Sequence, residues 1–354
     1  MSKVPGGTWG GRHTGVRFIA EVGPNHDGSV ERALELVERI AASGADAVKF
    51  QTYASAATVT ARHAPLARYM SDRSPDADQQ ALLERVRLGF DDFRVLAIRC
   101  RELDLVFLST PFDVQSVEFL SSLGVPALKL PSGEITNAFL LRAAADTGLP
   151  LMLSTGMSTL DEVAQAVELI RERWRGRGVA SGDLTLLHCT SAYPAPVEAA
   201  NLLAMEVLRE RFGVPVGYSD HTLGSAVPVA AAALGAVVIE KHVTPDPAMP
   251  GPDHAASLAL AELPALVARV RRAALARGQA GKFLEAVEED VRRVARRSLA
   301  AARRIVVGEQ WSAEALTALR PGTGLSPMQA DELLGRPARR GYEAGELLDA
   351  GELA

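Results

Sequence analysis

The chain has 354 residues, 47% of them hydrophobic and 23% charged, the balance of a soluble globular protein with room for one large domain and a small one. A net charge of -5 excludes the basic surface of a nucleic-acid or anionic-membrane binder, and no apolar run approaches the ~20 residues that span a bilayer. Two cysteines, Cys100 and Cys189, are too few for a disulfide scaffold or a zinc knuckle and fit a reducing cytoplasm.

Residues 1–15, MSKVPGGTWGGRHTG, lack an apolar signal core and read as a loose tail. Eight short apolar runs suited to strands then follow: VRFIAEVG (16–23), DAVKFQTY (46–53), LVFLSTPF (105–112), ALKLPSGE (127–134), PLMLSTGM (150–157), LTLLHCTS (184–191), VPVGYSDHT (214–222) and VVIEKHVT (237–244). Helix-like segments lie between them. In SVERALELVERIAASG, Val30, Leu34, Val37 and Ile40 keep helical spacing and Gly44 supplies a stop. Comparable segments cover about 114–123, 137–147, 159–173, 197–212, 223–234 and 259–277, whereas residues 54–90 are longer and more polar and read as a loop inserted over a site. Strands alternating with helices imply right-handed βαβ units, and eight units over ~250 residues predict a closed (β/α)8 TIM barrel across 16–280. A doubly wound open sheet is the alternative. After residue 280 the repeat stops. Residues 281–296 read as a helical linker, with a reach of roughly 24 Å at ~1.5 Å per residue, and 297–354 as a small domain of short strands and turns.

In such a barrel the C-terminal ends of the strands carry the chemistry. Here those ends present Glu21; Lys49 and Gln51; Ser109 and Thr110; Lys129, Ser132 and Glu134; Ser154 and Thr155; Ser191 and Tyr193; Ser219, Asp220 and His221; Glu240, Lys241 and His242. One charged strand end is an ordinary solvated edge or ion pair, but eight polar ends after eight apolar runs describe a site. Lys49 and Lys129 with the hydroxyls make an anion pocket, most simply for phosphate, although either lysine alone could equally pair with a barrel carboxylate. His221 and His242 end adjacent strands and suit a labile divalent metal such as Mn²⁺, Fe²⁺ or Zn²⁺, or else are hydrogen-bonded core histidines. Glu21, Glu134 and Asp253 supply carboxylates for hydroxyls or proton transfer. In PSGEITN, however, Ser132 or Thr136 can instead cap the next helix, with Glu134 near its positive end. His188 lies inside its run and reads as structural; His26 and His254, in loops, stay open.

The strings IAEVGPNHDG, GADAVKFQTY, FLSTPFD, KLPSGEITN, LSTGMST, HCTSAYPAP, VGYSDHTLG, VIEKHVT and MPGPDHAASL closely resemble the sialic acid synthase family, which includes legionaminic and pseudaminic acid synthases and spore-coat polysaccharide synthases. The stretch RRSLAAARRIVVGE…LRPGTGLSP…LLGRPARRGYEAGELL resembles that family's C-terminal antifreeze-like SAF (β-clip) domain. The resemblance implies condensation of phosphoenolpyruvate with the open-chain aldehyde of a hexosamine-type sugar to a nine-carbon 2-keto acid and phosphate, with C–O cleavage. It implies that His221 and His242 bind the metal, usually Mn²⁺, with Mg²⁺ or Co²⁺ as alternatives. Lys49, Lys129, Ser132, Ser154 and Ser219 would hold phosphoenolpyruvate, together with Thr110, and Glu134 would handle the attacking water's proton. Glu21, Gln51, Tyr193 and Asp253 would hold the sugar, and Arg320 would reach the site of a neighbouring subunit in a domain-swapped homodimer. Glu240 and Lys241 are left as structural neighbours. Some members carry Asn where this chain has Ser191, which leaves that contact to the phosphate, and N-acetylmannosamine as the acceptor, open. The rivals are a phosphoenolpyruvate aldol-type synthase acting on a phosphorylated sugar, which would need a second basic cluster, and a catalytically silent carbohydrate-binding protein, which would have lost site residues.

Overall fold

All eight apolar runs form strands, because each is apolar on both faces, as strands of a covered parallel sheet must be. In the computed structural model, which describes residues 15–71, 73–177 and 184–354, they are β1 (Arg17–Glu21), β2 (Ala47–Thr52), β3 (Val106–Pro111), β4 (Leu128–Leu130), β5 (Leu151–Ser154), β6 (Leu184–Cys189), β7 (Val216–Asp220) and β8 (Val238–Thr244). Every ladder between them is parallel, and β1 pairs with β8 as well as with β2, so first and last strands meet as they do in a barrel. A closed ring was the expectation, and the ring is nearly closed: among the described residues, β3 and β4 are neighbours without a backbone ladder. Pro111, Pro126 and Pro131 flank that seam and lack N–H donors, and β4 has only three residues to pair.

Helices cover the ring where their apolar faces meet the outward strand residues. Val30–Ala41 is typical. Ser29 accepts from the Arg32 N–H at its start, and Ala33, Leu36, Val37 and Ile40 are buried, the larger three contributing ~1.5–3 kcal/mol each. Two helices start later than expected: Ala204–Phe212 follows a 3₁₀ turn at Val197–Ala199, and Leu263–Ala276 follows the short strand β9 (Leu258–Ala259), which pairs with β8. The insertion at 54–90 is not a bare loop. It holds short helices at Ala56–Val59, Arg68–Ser71 and Gln79–Arg85.

Strand alternation sorts the interior into levels. Ile19, Ala47, Leu108, Ala127, Met152, Leu187 and Val238 form a dry apolar floor. Two residues further along the same strands, the inward positions become Glu21, Lys49, Thr110, Lys129, Ser154, Cys189 and Glu240, all buried. At β7 the floor position is Gly217, where a Cβ would lie 2.6 Å from both Leu187 Cδ2 and the Val238 carbonyl oxygen; Ser219 and His221 stand above it.

The division between the two compact units falls between Gly278 and Gln279. The expected tail over 1–15, apart from Gly15, lies outside the described residues. The expected helical linker over 281–296 is shorter in fact: a 3₁₀ turn at Ala286–Glu288 leads into a helix only at Glu289–Ala295, and Gly281, with φ +137°, stands outside it. The 24 Å figure assumed a continuous helix and so loses its basis. The second unit pairs β10 (Ser298–Ala301) with β11 (Leu316–Leu319) antiparallel around a small core that includes Trp311, Leu333, Tyr342 and Leu348. Its buried carboxylate, Glu352, accepts from Trp311 Nε1 (3.1 Å), Tyr342 OH (2.7 Å) and the Arg339 N–H (3.2 Å). Replacing Glu352 with Ala is expected to destabilise this unit by ~2–4 kcal/mol, because two buried donors lose their acceptor. Calorimetry would show it as a lowered melting transition, and an unchanged trace would mean that the carboxylate is dispensable.

Candidate active site

The mouth of the barrel gathers the charged strand ends in two tiers. In the lower tier Lys49 Nζ lies 2.6 Å from Glu21 Oε2 and donates to Thr110 Oγ1 at 2.9 Å. Glu240 faces both lysines, its Oε1 3.4 Å from Lys129 Nζ and its Oε2 3.8 Å from Lys49 Nζ, and it accepts from Ser219 Oγ at 2.9 Å. Gln51 Nε2 reaches Glu21 Oε1 at 3.3 Å. Burial opposes charge on Glu21, Lys49 and Glu240, and their neighbours decide the outcome. Glu240 is driven below the usual carboxylate range because Lys129 and Lys49 outweigh its burial. Glu21 is pushed up, by burial first and by Glu240 as well, against the pull of Lys49. Burial also works against the Lys49 ammonium, but Glu21 and Glu240 outweigh it and raise its pKa. The tier thus holds two ammonium groups against one firm carboxylate and one that protonates readily, an arrangement that favours an anion.

Beside it, hydroxyls and a backbone amide form a cradle. Gly156 N–H donates to Ser132 Oγ at 2.9 Å, and Ser132 Oγ lies 3.2 Å from Cys189 Sγ. A Cβ on Gly156 would stand 2.4 Å from Ser191 Oγ and 2.8 Å from Cys189 Sγ, so only glycine lets these groups close together. Ser154 Oγ is buried without a hydrogen-bond partner among the described residues.

The upper tier is aromatic and carries the imidazoles. The rings of His221 and His242 are 5.5 Å apart, and the Tyr193 ring lies 4.3 Å from His221 and 5.8 Å from His242. Burial holds both imidazoles neutral, and at His242 the nearness of a second imidazole, which cannot be protonated alongside it, and the Lys49 ammonium lower the pKa further. His221 Nδ1 donates to the Thr190 carbonyl oxygen at 2.7 Å, which leaves the Nε2 lone pair free. His242 Nδ1 is buried with no hydrogen bond and sits 3.5 Å from Asp253 Oδ2. Asp253 is pushed up to about 6 by burial. No group of three or more His, Cys, Asp or Glu side chains fit to hold a metal occurs among the described residues. Two neutral imidazoles suit a metal with open positions, not a closed cage.

The chain is similar to known proteins over most of its length. A family model described as the NeuB family matches residues 36–282, and a SAF domain model matches 296–354. The N,N'-diacetyllegionaminic acid synthase of Legionella pneumophila is 44% identical over 332 residues, covering 94% of this chain and 92% of that one. The pseudaminic acid synthase of Helicobacter pylori is 35% identical over 340 residues, covering 95% and 97%. The chain belongs to the NeuB family. It is an enzyme of the acid-synthase class and carries a SAF domain. A crystal structure of N-acetylneuraminic acid (sialic acid) synthetase from Leptospira borgpetersenii, 33% identical, aligns with a TM-score of 0.68 over 78% of this chain and 90% of that one.

Within this NeuB-family barrel the structure brings together Glu21, Lys49, Gln51, Thr110, Lys129 and Ser219 in the lower tier, Ser132, Ser154 and Ser191 around the cradle, and Tyr193, His221, His242 and Asp253 above. Glu134 is half-buried on the 3₁₀ turn after β4 and accepts from Asn137 Nδ2 at 2.6 Å. The capping reading of Ser132 or Thr136 is corrected: Asn137 caps the helix Ala138–Asp146, its Oδ1 accepting from the Leu140 N–H, while Ser132 serves the cradle. Arg320 lies in the second unit, exposed after β11. Lys241 is structural as expected, pairing with Asp220 on the outer face of the ring (2.5 Å) and donating to the Thr222 carbonyl oxygen. Its neighbour Glu240 is not: it faces inward between the lysines. Glu240 and Gly156 line the site although the sequence reading gave them no role in it. Of the loop histidines, His254 bonds Thr244 Oγ1 (2.6 Å) and lies 3.3 Å from Asp27, which pins the loop bearing Asp253; His26 Nδ1 accepts from the Gly28 N–H. His188 is bound to the Ala200 carbonyl oxygen.

Proposed function

We propose that the enzyme condenses phosphoenolpyruvate with the open-chain aldehyde of an acylated hexosamine to give a nine-carbon 2-keto acid and phosphate. The observation that carries this reading is a pair of buried lysines one step below a pair of neutral imidazoles, in a single mouth. An enol phosphate with a carboxylate needs fixed cations and hydroxyls, and Lys49, Lys129, Ser132, Ser154, Ser219 and Thr110 supply them. Glu21, Gln51, Tyr193 and Asp253 orient the sugar. His221 and His242 would hold a divalent metal, most simply Mn²⁺, which when bound supplies Lewis-acid polarisation of the aldehyde oxygen. C3 of the enol forms the new bond to the aldehyde carbon, whose oxygen becomes a hydroxyl. Water adds to C2, with Glu134 the residue we expect to take its proton, and the C2–O bond then breaks to release phosphate and leave the ketone. In the SAF domain, Arg320 is the residue we expect to complete the sugar site of a partner in a homodimer. Among the described residues no helix is long and apolar enough to cross a membrane; two free, buried cysteines support a cytoplasmic setting.

The experiment is phosphate release from phosphoenolpyruvate with Mn²⁺ and a panel of N-acetylmannosamine, diacetamido-sugars and plain hexoses. With the bridging oxygen labelled as ¹⁸O, the label is expected in phosphate. Label retained in the keto acid would show P–O cleavage, and no release with any acceptor would remove the reaction assignment.

A further inference from the structure

The segment inserted between β2 and β3 contributes two side chains with no role above, Tyr69 and Arg73. Tyr69, on the short helix Arg68–Ser71, stacks on Tyr193 with ring centroids 5.1 Å apart and planes 27° from parallel. Tyr193 in turn packs on His221. Arg73 Nη1 donates to the Tyr193 carbonyl oxygen at 3.5 Å, and among the described residues Arg73 has no carboxylate ion pair. Both side chains are half-buried. Tyr193, which both residues touch, packs on His221 and lies 5.8 Å from the His242 ring, so both residues adjoin the imidazole pair.

A half-buried guanidinium that spends one long hydrogen bond on the protein adds little to stability. Its remaining forked donors match a carbonyl oxygen, and the neighbouring phenol ring gives a methyl group an apolar surface. We propose that Tyr69 and Arg73 form the subsite for an acylamino group on the acceptor sugar, Arg73 donating to the acyl oxygen and Tyr69 covering the acyl methyl. The inference rests on the acceptor being a sugar, as proposed above, and adds the group by which it is selected. A phosphoryl group fits less well. Desolvating a dianion there calls for more than one cation.

The test uses the full chain and reads binding apart from turnover. Saturation-transfer NMR with N-acetylmannosamine is expected to show strong transfer to the acetyl methyl protons in the unaltered protein. In Tyr69→Leu and Arg73→Lys, the second keeping the charge but not the fork, that transfer should fall several-fold. In phosphate-release assays the preference for the N-acetylated sugar over the matching plain hexose should fall about tenfold in each variant, with KM for phosphoenolpyruvate unchanged within about twofold. Unaltered methyl transfer in both variants, with native circular dichroism, overturns the proposal. So does absence of methyl transfer in the unaltered protein, or a preference for a 6-phosphorylated hexosamine that Arg73→Ala abolishes. Methyl transfer that responds to the variants in a protein releasing no phosphate would sink the reaction assignment and leave the subsite standing.

Discussion

Replacing His221 or His242 with Ala is expected to lower kcat/KM for phosphate release by ~10³-fold or more while leaving the fold intact. Each imidazole is buried and neutral, and at His221 the Thr190 carbonyl already fixes which nitrogen keeps its lone pair. Among the described residues no group of three or more His, Cys, Asp or Glu side chains fit to hold a metal occurs, so losing one imidazole removes half of the candidate pair. The readouts are turnover, bound metal per chain, and the rise in melting temperature that Mn²⁺ should give the unaltered protein and withhold from either variant. Undiminished turnover after chelation of the unaltered protein would remove the metal from the scheme.

The second large effect is expected at Glu240. Its carboxylate lies between Lys129 and Lys49 and holds Ser219. In Glu240→Gln the two ammonium groups keep their burial but lose their firmest counter-charge, a loss of the kind that costs ~3–5 kcal/mol when a buried pair is broken. The protein without substrate should melt lower than the unaltered chain. Phosphoenolpyruvate brings back negative charge, so the stabilisation it confers should be larger in the variant than in the unaltered protein. Differential scanning fluorimetry with and without phosphoenolpyruvate measures both quantities. An equal melting temperature, or a smaller shift on adding phosphoenolpyruvate, would mean that Glu240 is not the counter-charge of the lysines.

Much of this was legible in the sequence because a barrel strand declares itself twice, by an apolar run and by the polar residue that ends it. Lys49, Lys129, His221 and His242 were found that way. Glu240 was within reach of the same logic. It shares parity with His242, so a chain read with His242 facing inward must also turn Glu240 inward and Lys241 outward. Reading neighbours along the chain as neighbours in space hid it. Gly156 had no such signal, since its necessity lies in three side chains from separate loops and strands crowding one Cα. The capping assignment failed because several residues in PSGEITN can cap, and only the backbone path shows that Asn137 is the one at the helix start. The linker was overextended because its valines at 287, 291 and 294 keep helical spacing, while Gly281 and the residues before Ala286 leave the helix.

The apolar floor has a consequence for traffic. With Ile19, Leu108, Met152, Leu187 and Val238 plugging the bottom of the ring, the mouth is closed from below among the described residues. Whatever the lysine tier holds must pass the imidazole tier on the way in and again on the way out. On the reaction proposed above, the donor is then expected to be seated before the acceptor, and the phosphate to leave after the product above it.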